Sequence, residues 1–284
     1  QEQREKFKLK TKFRPLSSNY GEVRGVFAAE GEEVVVETDS FNNKDFFEIR
    51  SLNFMFFTVF TLGFQKWFFQ YVKNNNENIE LTHFLSKFMN PDLDIEWPTE
   101  YLKFLNDFNK AIRGELFDTK EEMYEHMKKI YQDNGNEVKE PTRLNINFAA
   151  RLIYQEKSWI EEVLFKHYEN LDKSKDVENI NVAKTFIKLG SLERIDLKGK
   201  FEDKEIELNY DVLNWQKGKF KQRLKEFKIP TKTLKFLLDS SRKNQINSLQ
   251  KSYKKLEDND YYITALDFVS PRTHLIHKLE FKEN

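Results

Sequence analysis

The side chains best suited to binding chemistry lie at the border between a predicted strand and a predicted helix. They comprise two guanidinium groups, three hydroxyl groups and one carboxylate: Arg14, Ser17, Ser18, Glu37, Thr38 and Arg50. Glu37 and Thr38 end the strand, and Arg50 lies one or two turns into the helix. Because ligand pockets combine apolar walls with a few convergent polar groups, we predict a substrate-binding site here. In the alternative interpretation, Glu37 pairs with Arg50 and Thr38 caps the helix.

The sequence contains none of the familiar catalytic motifs. A glycine-rich phosphate loop, HExxH, a nucleophile elbow and the protein-kinase signatures are all missing. The chain also has no cysteine, which excludes disulfides, a thiol nucleophile and any cysteine-ligated zinc or iron–sulfur cluster within it. We therefore predict no catalytic residue and no metal ligand in this chain.

The five histidines are scattered along the chain. His274 and His277 have the spacing HxxH, but on a predicted strand their rings point to opposite faces. We interpret them as surface residues and not as a metal site. His83, His126 and His167 each lie on a predicted amphipathic helix, where we expect them at the border of the core.

The charge balance argues against a polyanionic partner. Lysine and arginine number 47, and aspartate and glutamate also number 47, so no net field favours nucleic acid or an anionic membrane. The basic stretch 217–255 admits two interpretations. It is either a nucleic-acid surface on which Phe220 and Tyr253 stack or the solvated face of a long helix, and overall neutrality favours the helix face.

A long aromatic helix over residues 45–72 is the element that must position these groups. It contains no proline and one glycine, Gly63, and we expect Asp39 or Ser40 as its N-cap. Apolar side chains cover its whole circumference over residues 54–60, which is typical of a buried helix. Spanning a bilayer takes about 20 apolar residues, and two glutamines and a lysine interrupt this run. We therefore predict the central helix of a helical bundle.

Further patterns predict a mainly α chain with small β elements, class α+β. The other expected helices cover residues 79–89, 99–112, 120–132 with Thr119 as cap, 144–164 with a kink near Ser158, 177–189 ended by Gly190, and 231–256. We expect β-hairpins near residues 21–38, 193–212 and 261–281. The 284 residues divide into an amino-terminal extended or β segment (1–40), a helical domain (41–192) and an α+β carboxyl-terminal part (193–284) packed on the helical domain.

Several segments resemble one enzyme family. They are RPLSS at 14–18, EEVVVETDSFNNKDFFEIRSLNF at 32–54 with the aromatic helix that follows, LFDTKEEMYEHMKKIYQDNG at 116–135 and YDVLNWQKG at 210–218. Together they resemble the carboxyl-terminal region of cobalamin-binding radical S-adenosylmethionine (radical SAM) enzymes. The resemblance covers most of residues 12–218.

This resemblance implies an accessory region that covers the open end of a catalytic barrel and shapes the substrate pocket. The family's CxxxCxxC and DxHxxG loops are not in this sequence. The iron–sulfur cluster, S-adenosylmethionine and cobalamin are therefore implied for the full-length enzyme, with no cofactor in this chain. The implied partners are the radical SAM barrel and the cobalamin domain of the parent chain, together with a small-molecule substrate.

The sequence thus predicts a non-catalytic, substrate-shaping accessory domain. One alternative is a stand-alone helical scaffold or partner-binding protein, and another is an enzyme that uses carboxylates and lysines without a recognisable motif. No signal peptide is visible, and we expect a cytoplasmic protein with neither nucleic acid nor membrane as partner. The first residue is Gln1, so we also expect a piece of a longer polypeptide.

Overall fold

The computed structural model confirms the predicted class, an α+β fold in which helices predominate. It describes residues 2–75, 78–138, 143–198, 201–268 and 275–282, apart from the side chains at 17, 18, 258, 259, 267 and 268. Its α-helices are α1 (Glu2–Lys6), α2 (Asn43–Phe56), α3 (Lys66–Asn75), α4 (Leu81–Met89), α5 (Thr99–Gly114), α6 (Lys120–Asp133), α7 (Leu144–Ala150), α8 (Lys157–Leu171), α9 (Val177–Glu193), α10 (Val212–Lys217), α11 (Ser240–Ser252) and α12 (Asp258–Phe268). Its strands are β1 (Lys10–Val23), β2 (Val26–Glu37), β3 (Lys204–Tyr210), β4 (Lys228–Leu237) and β5 (Lys278–Phe281). The described secondary structure also includes two π-helical turns, Phe57–Thr61 and Arg151–Gln155, and a 3₁₀-helix, Leu224–Phe227.

The chain folds into two compact units. The first comprises Gln1–Asn53 and Leu102–Asn145, and the second comprises Phe54–Tyr101 and Ile146–Asn284. Each unit therefore combines segments that are distant in sequence, whereas the predicted boundaries near residues 40 and 192 divide the chain into contiguous stretches.

In the first unit, β1 and β2 form a long antiparallel hairpin. Its turn residues, Arg24 and Gly25, both have positive φ, 54° and 79°, as a type I′ turn requires. The predicted hairpin near residues 21–38 is too short, because β1 already begins at Lys10. This part of β1 lacks a clear apolar alternation, and ion pairs between facing residues hold it to β2 instead.

The hairpin packs on α6 through a small aromatic cluster. Tyr20 and Phe27 of the hairpin bury their rings against Met127 and Tyr131 of α6. The Phe27 and Tyr131 rings lie 5.4 Å apart, and the Tyr124 hydroxyl donates to the Phe27 carbonyl at 2.6 Å. This cluster fixes the hairpin on the helix that faces it.

Helix α6 begins as the sequence predicts. The Thr119 side chain accepts a hydrogen bond from the N–H of Glu122 at 3.1 Å, and the Glu122 carboxylate accepts one from the N–H of Thr119 at 3.3 Å. This reciprocal pair is a capping box. It confirms Thr119 as the cap.

The predicted single helix over residues 45–72 is instead two helices with a break between them. A π-helical turn follows α2, and Gly63 and Gln65 then have positive φ, 69° and 48°. A residue in that conformation cannot continue a right-handed helix. Phe60 is also 42% exposed, so burial is not complete around the apolar stretch. Among the described helices, none is both long and apolar enough to cross a membrane.

The second unit has an aromatic core between α3, α4, α8 and α9. Phe68 of α3 packs edge-on against Phe84 of α4 at 5.4 Å between ring centroids and against Tyr168 of α8 at 6.0 Å. Tyr71 of α3 packs against Phe186 of α9 at 5.7 Å. All five rings are buried, and such edge-to-face pairs stabilise beyond their buried area. The buried aromatic helix is therefore α3.

Strands β3, β4 and β5 form an antiparallel sheet with β4 in the middle. The predicted hairpin at 193–212 is wrong, because β3 pairs with β4 and not with the residues before it. The predicted helix at 231–256 is wrong in its first third, which belongs to β4. Leu234 and Phe236 are buried two residues apart, which is the period of a strand. Pro230 lies opposite an irregularity in the pairing, where a strand tolerates proline.

The predicted hairpin near 261–281 is also wrong in its first half. Residues 261–266 form part of α12, and only β5 matches the second half. All six of those side chains are buried. A short run with burial at every position has no period that distinguishes a strand from a helix.

Candidate functional site

A cleft in the first unit involves two of the predicted site residues. Arg14 lines it, and Arg50 pairs with Glu115, which also lines it. We call it the hairpin cleft. It has a volume of about 250 Å³ and is formed by β1, the segment after α5, α6 and the start of α7. Its principal lining residues are Arg14, Leu16, Glu115, Phe117, His126 and Arg143.

An irregularity in β1 shapes one wall of the hairpin cleft. Pro15 faces Gly31 and Tyr20 faces Ala29, so β1 contains three more residues than β2 between these two pairs. Bulges of this kind bend a strand and redirect its side chains. Leu16 lies in the irregular stretch and lines the cleft. Ser17 and Ser18 also belong to this stretch of β1, but their side chains lie outside the described part of the structure.

A second wall is held against β1 by backbone hydrogen bonds. Phe13 and Phe117 exchange two N–H···O hydrogen bonds of 2.8 Å each. The Phe117 ring lies 4.9 Å from the ring of His126, centroid to centroid. Through Phe117, these contacts connect three elements around the cleft: β1, α6 and the segment that follows α5.

Two ion pairs lie side by side at the cleft. The Nε of Arg14 donates to the Glu32 carboxylate at 2.8 Å, and its Nη2 contacts the same oxygen. Arg50 donates to Glu115 at 3.1 Å. Burial lowers the pKa of Arg50, and Glu115 opposes this shift whereas Arg14 adds to it. Burial likewise raises the pKa of Glu115, and the two arginines oppose the rise.

Glu37 and Thr38 lie outside this charged group. Glu37 pairs with Lys10, its neighbour across the hairpin, at 2.5 Å. The Thr38 hydroxyl accepts hydrogen bonds from the N–H groups of Ser40 and Phe41 at 3.1 and 3.2 Å, which closes a turn before α2. The structure therefore groups Arg14 with Arg50 and gives Glu37 and Thr38 structural partners.

Two further expectations are wrong: that Glu37 pairs with Arg50, and that Thr38, Asp39 or Ser40 caps α2. Glu115, and not Glu37, is the partner of Arg50. The Asn42 side chain caps α2 by accepting hydrogen bonds from the N–H groups of Lys44 at 2.8 Å and Asp45 at 3.1 Å. The expected caps Asp39 and Ser40 precede that position.

Arg143 is the exposed cation of the cleft. Among the residues that the structure describes, its guanidinium has no hydrogen-bond or ion-pair partner, whereas Arg14 is bound to Glu32. The remaining walls are largely apolar and include Leu16, Phe117 and Leu144. A cleft with apolar walls and one unpaired guanidinium suits a small molecule with an apolar body and an anionic group.

The sequence does not predict that Glu115, His126 and Arg143 line the cleft. Glu115 and Arg143 lie in connecting segments whose composition resembles any polar loop. They meet β1 only through the tertiary fold, so no local spacing signals the contact. We expect His126 at the border of the core, but in the structure it is exposed, with its ring beside that of Phe117.

A second histidine occupies a different environment in the second unit. His167 stacks on Trp97 at 4.2 Å and lies 3.0 Å from the Tyr101 hydroxyl. That hydroxyl donates to the Phe88 carbonyl, so it must accept from the Nε2–H of a neutral imidazole. Burial, with a smaller contribution from Lys87, lowers the pKa of His167 to about 3. The expectation of a border position for His167 is therefore wrong, because it is a core residue.

Of the HxxH pair, the structure describes His277. His274 lies outside the described residues. His277 is buried, and its Nδ1 lies 3.0 Å from the backbone carbonyl of Glu193, so the expectation of a surface position for His277 is wrong. Within the described ranges, no group of three His, Cys, Asp or Glu side chains could hold a metal ion.

Comparisons with known proteins add no assignment. No protein-family model matches the chain, and no curated protein matches it.

Proposed function

We propose that this chain is a non-catalytic, substrate-shaping region of a cobalamin-dependent radical SAM enzyme. One observation carries the proposal. The segments at 14–18 and 116–135, which resemble that family and lie a hundred residues apart, both line the hairpin cleft. Segments that converge on one concave surface are suited to recognise a ligand together.

In this proposal, the barrel and cobalamin domain of the parent enzyme supply the chemistry, and the hairpin cleft contacts part of the substrate. The ion pairs of Arg14 and Arg50 hold the cleft walls, while Arg143 pairs with an anionic group of the ligand. Guanidinium groups bind carboxylates and phosphates through two parallel hydrogen bonds. The proposed substrate fragment is therefore an apolar body with a carboxylate or phosphate.

The cofactor assignment can be tested with the isolated chain. We expect no stoichiometric binding of hydroxocobalamin and no iron–sulfur absorbance after anaerobic incubation with iron and sulfide. A corrinoid or a cluster bound at one equivalent per chain would overturn the proposal, because both belong to the rest of the enzyme. Equilibrium dialysis and absorbance spectra measure the two outcomes.

The cleft assignment needs a ligand with the proposed chemistry. Benzoate and benzamide have similar shapes, but only benzoate carries a charge for Arg143. We expect benzoate to shift backbone resonances of the cleft in an NMR titration, with benzamide weaker by about tenfold, the ratio that corresponds to about 1.4 kcal/mol. Arg143→Gln should abolish this preference.

Arg113→Gln is the matched control, because Arg113 stacks on Phe47 at 4.2 Å in the same unit and does not line the cleft. It should leave the preference for benzoate unchanged. Equal binding of the two probes to the unmodified chain would contradict an anion-binding cleft.

A partner-binding protein is the second candidate, and one observation favours it. Val23 and Val26 face each other at the tip of the hairpin, and they are 72% and 67% exposed. Replacing both with lysine would leave the fold intact and abolish binding to a protein partner that docks on the tip. Unchanged recovery of partners from cell extract would exclude the tip as a docking surface.

A further inference from the structure

A second cavity lies in the second unit, between the residues just before α3, the second π-helical turn, the start of α8 and the end of α9. It has a volume of about 200 Å³. Its lining includes four apolar side chains and two polar ones, Phe64, Leu152, Ile153, Ile160, Gln65 and Ser191. π-Helical turns are rare and occur frequently at functional sites, and one of them, Arg151–Gln155, lines this cavity through Leu152 and Ile153.

Gln65 presents an unpaired acceptor in this cavity. Its Nε2 donates to the Ser191 hydroxyl at 3.0 Å, which leaves Oε1 as the group that needs a partner. Oε1 is buried and has no hydrogen-bond donor among the described residues, and Gln65 as a whole is only 4% exposed. An unsatisfied buried acceptor is unfavourable, so a donor that enters the cavity and bonds to it would be bound more tightly than a molecule of the same shape without a donor.

Gly190 holds the Gln65 amide at this position. We expected Gly190 to end a helix, but α9 continues to Glu193 and Gly190 lies inside it. A Cβ at Gly190 would lie 2.2 Å from Oε1 of Gln65 and 2.8 Å from its Cδ. Glycine in a helix interior is less favourable than alanine. Here glycine permits the close approach of the amide.

Three cations line the cavity. Lys188 lies 3.5 Å from Glu161, and Lys157 lies 3.9 Å from Asp196, so two of them are paired with an acid. The third, Arg194, donates from Nη2 to the backbone carbonyl of Leu62 at 2.6 Å and keeps its positive charge at the cavity. Arg194 disfavours a cation, and the unpaired carbonyl oxygen of Gln65 disfavours an anion, so a neutral ligand fits the electrostatics better than an ion.

A single ordered water does not fill the cavity. One water occupies about 30 Å³ of liquid and needs two to four polar partners. The cavity is several times larger, and most of its walls are apolar. We propose that this cavity binds a small, neutral, largely apolar molecule whose single O–H or N–H group donates to Oε1 of Gln65.

Phenol and toluene provide a matched pair of probes, because they have nearly the same shape and only phenol carries a donor. We expect phenol to bind the unmodified chain at least tenfold more tightly than toluene, and to shift the side-chain amide resonances of Gln65. Ligand-detected NMR and a ¹⁵N-labelled sample measure both effects. Equal affinities, or no binding of either probe, would overturn the proposal, as would phenol binding that leaves the Gln65 amide resonances unchanged.

Two variants locate the effect. Gln65→Leu keeps the bulk and removes the acceptor, so phenol and toluene should bind equally. Gln70→Leu, five residues further along the chain, is the matched control, since Gln70 accepts from Asn74 at 3.1 Å and does not line the cavity; it should keep the tenfold preference. Loss of the preference in Gln70→Leu would contradict the assignment to Gln65. The comparison of probes on the unmodified chain remains decisive if Gln65→Leu fails to fold.

Discussion

At the scale of single residues, burial decides which titratable groups affect stability. His167 has a pKa of about 3 in the folded chain because burial disfavours its charged form. Its ordinary pKa in an unfolded chain is about 6.5. Between these pH values the unfolded chain takes up a proton that the folded chain does not. The contribution of His167 to stability is therefore fully present above pH 6.5, and it decreases as the pH falls toward 3.

We predict that His167→Gln reduces the acid sensitivity of the second unit. From pH 6.5 to pH 5 the unmodified chain should lose stability through this group by up to about 1.4 kcal/mol per pH unit, and the variant should lose correspondingly less. Urea unfolding at pH 7 and pH 5 measures the difference. The exposed His83 supplies the control, because His83→Gln should keep the full pH dependence. An identical pH dependence in His167→Gln would show that the buried imidazole is not neutral.

The sequence indicates residue types better than residue partners. The sequence places Arg14 and Arg50 in one predicted substrate-binding site, which stays a prediction, and the structure brings their charges close enough to interact. Their carboxylate partners Glu32 and Glu115 were not predicted. Glu32 depends on the strand register, and Glu115 depends on how the segment after α5 returns to the hairpin. Neither is encoded by spacing along the chain.

At the scale of elements, local signals predict helices well and strand pairing poorly. The capping box of Thr119 and the apolar face of α5 allow boundaries within about two residues. The sequence places β4 in a predicted helix. Its partners, β3 and β5, lie before and after it in the chain, so its own sequence does not show that it is paired as a strand. The sequence does not predict the π-helical turns or the break at Gly63, since the aromatic composition continues without change across the first turn and the break. It does predict a kink near Ser158, and the chain leaves helical structure at Glu156, between the second π-helical turn and α8.

We predict that Gly63→Ala destabilises the chain by about 1–2 kcal/mol. Gly63 has φ of 69°, a left-handed conformation that costs other residues about that much. A new Cβ would meet only ordinary contact, 3.5 Å from a nitrogen of Arg194, so the penalty comes from the backbone. Chemical denaturation measures it.

Gly114→Ala is the control for this prediction. A Cβ at Gly114 would meet no atom within 4 Å, and its φ is outside the left-handed region. We expect no loss of stability, and a gain of up to about 1 kcal/mol, since alanine restricts the unfolded chain. If both substitutions had the same effect, the break at Gly63 would not be a backbone requirement.

At the scale of the whole molecule, the chain has two candidate binding sites and no recognisable catalytic motif in its sequence. In our proposals, Arg143 of the hairpin cleft pairs with an anionic group, and the buried acceptor of Gln65 receives a neutral donor. The two candidate sites lie in different units and are proposed to take ligands of different charge. Each proposal can therefore be tested on the same protein without the ligand of the other.

The role as a substrate-shaping region of a radical SAM enzyme is the central claim. Determination of the complete reading frame that encodes this chain tests it most directly. We predict that the same polypeptide carries a CxxxCxxC loop and a corrinoid-binding DxHxxG-type sequence before residue 1 of the present numbering. A complete reading frame that contains neither sequence would contradict the claim.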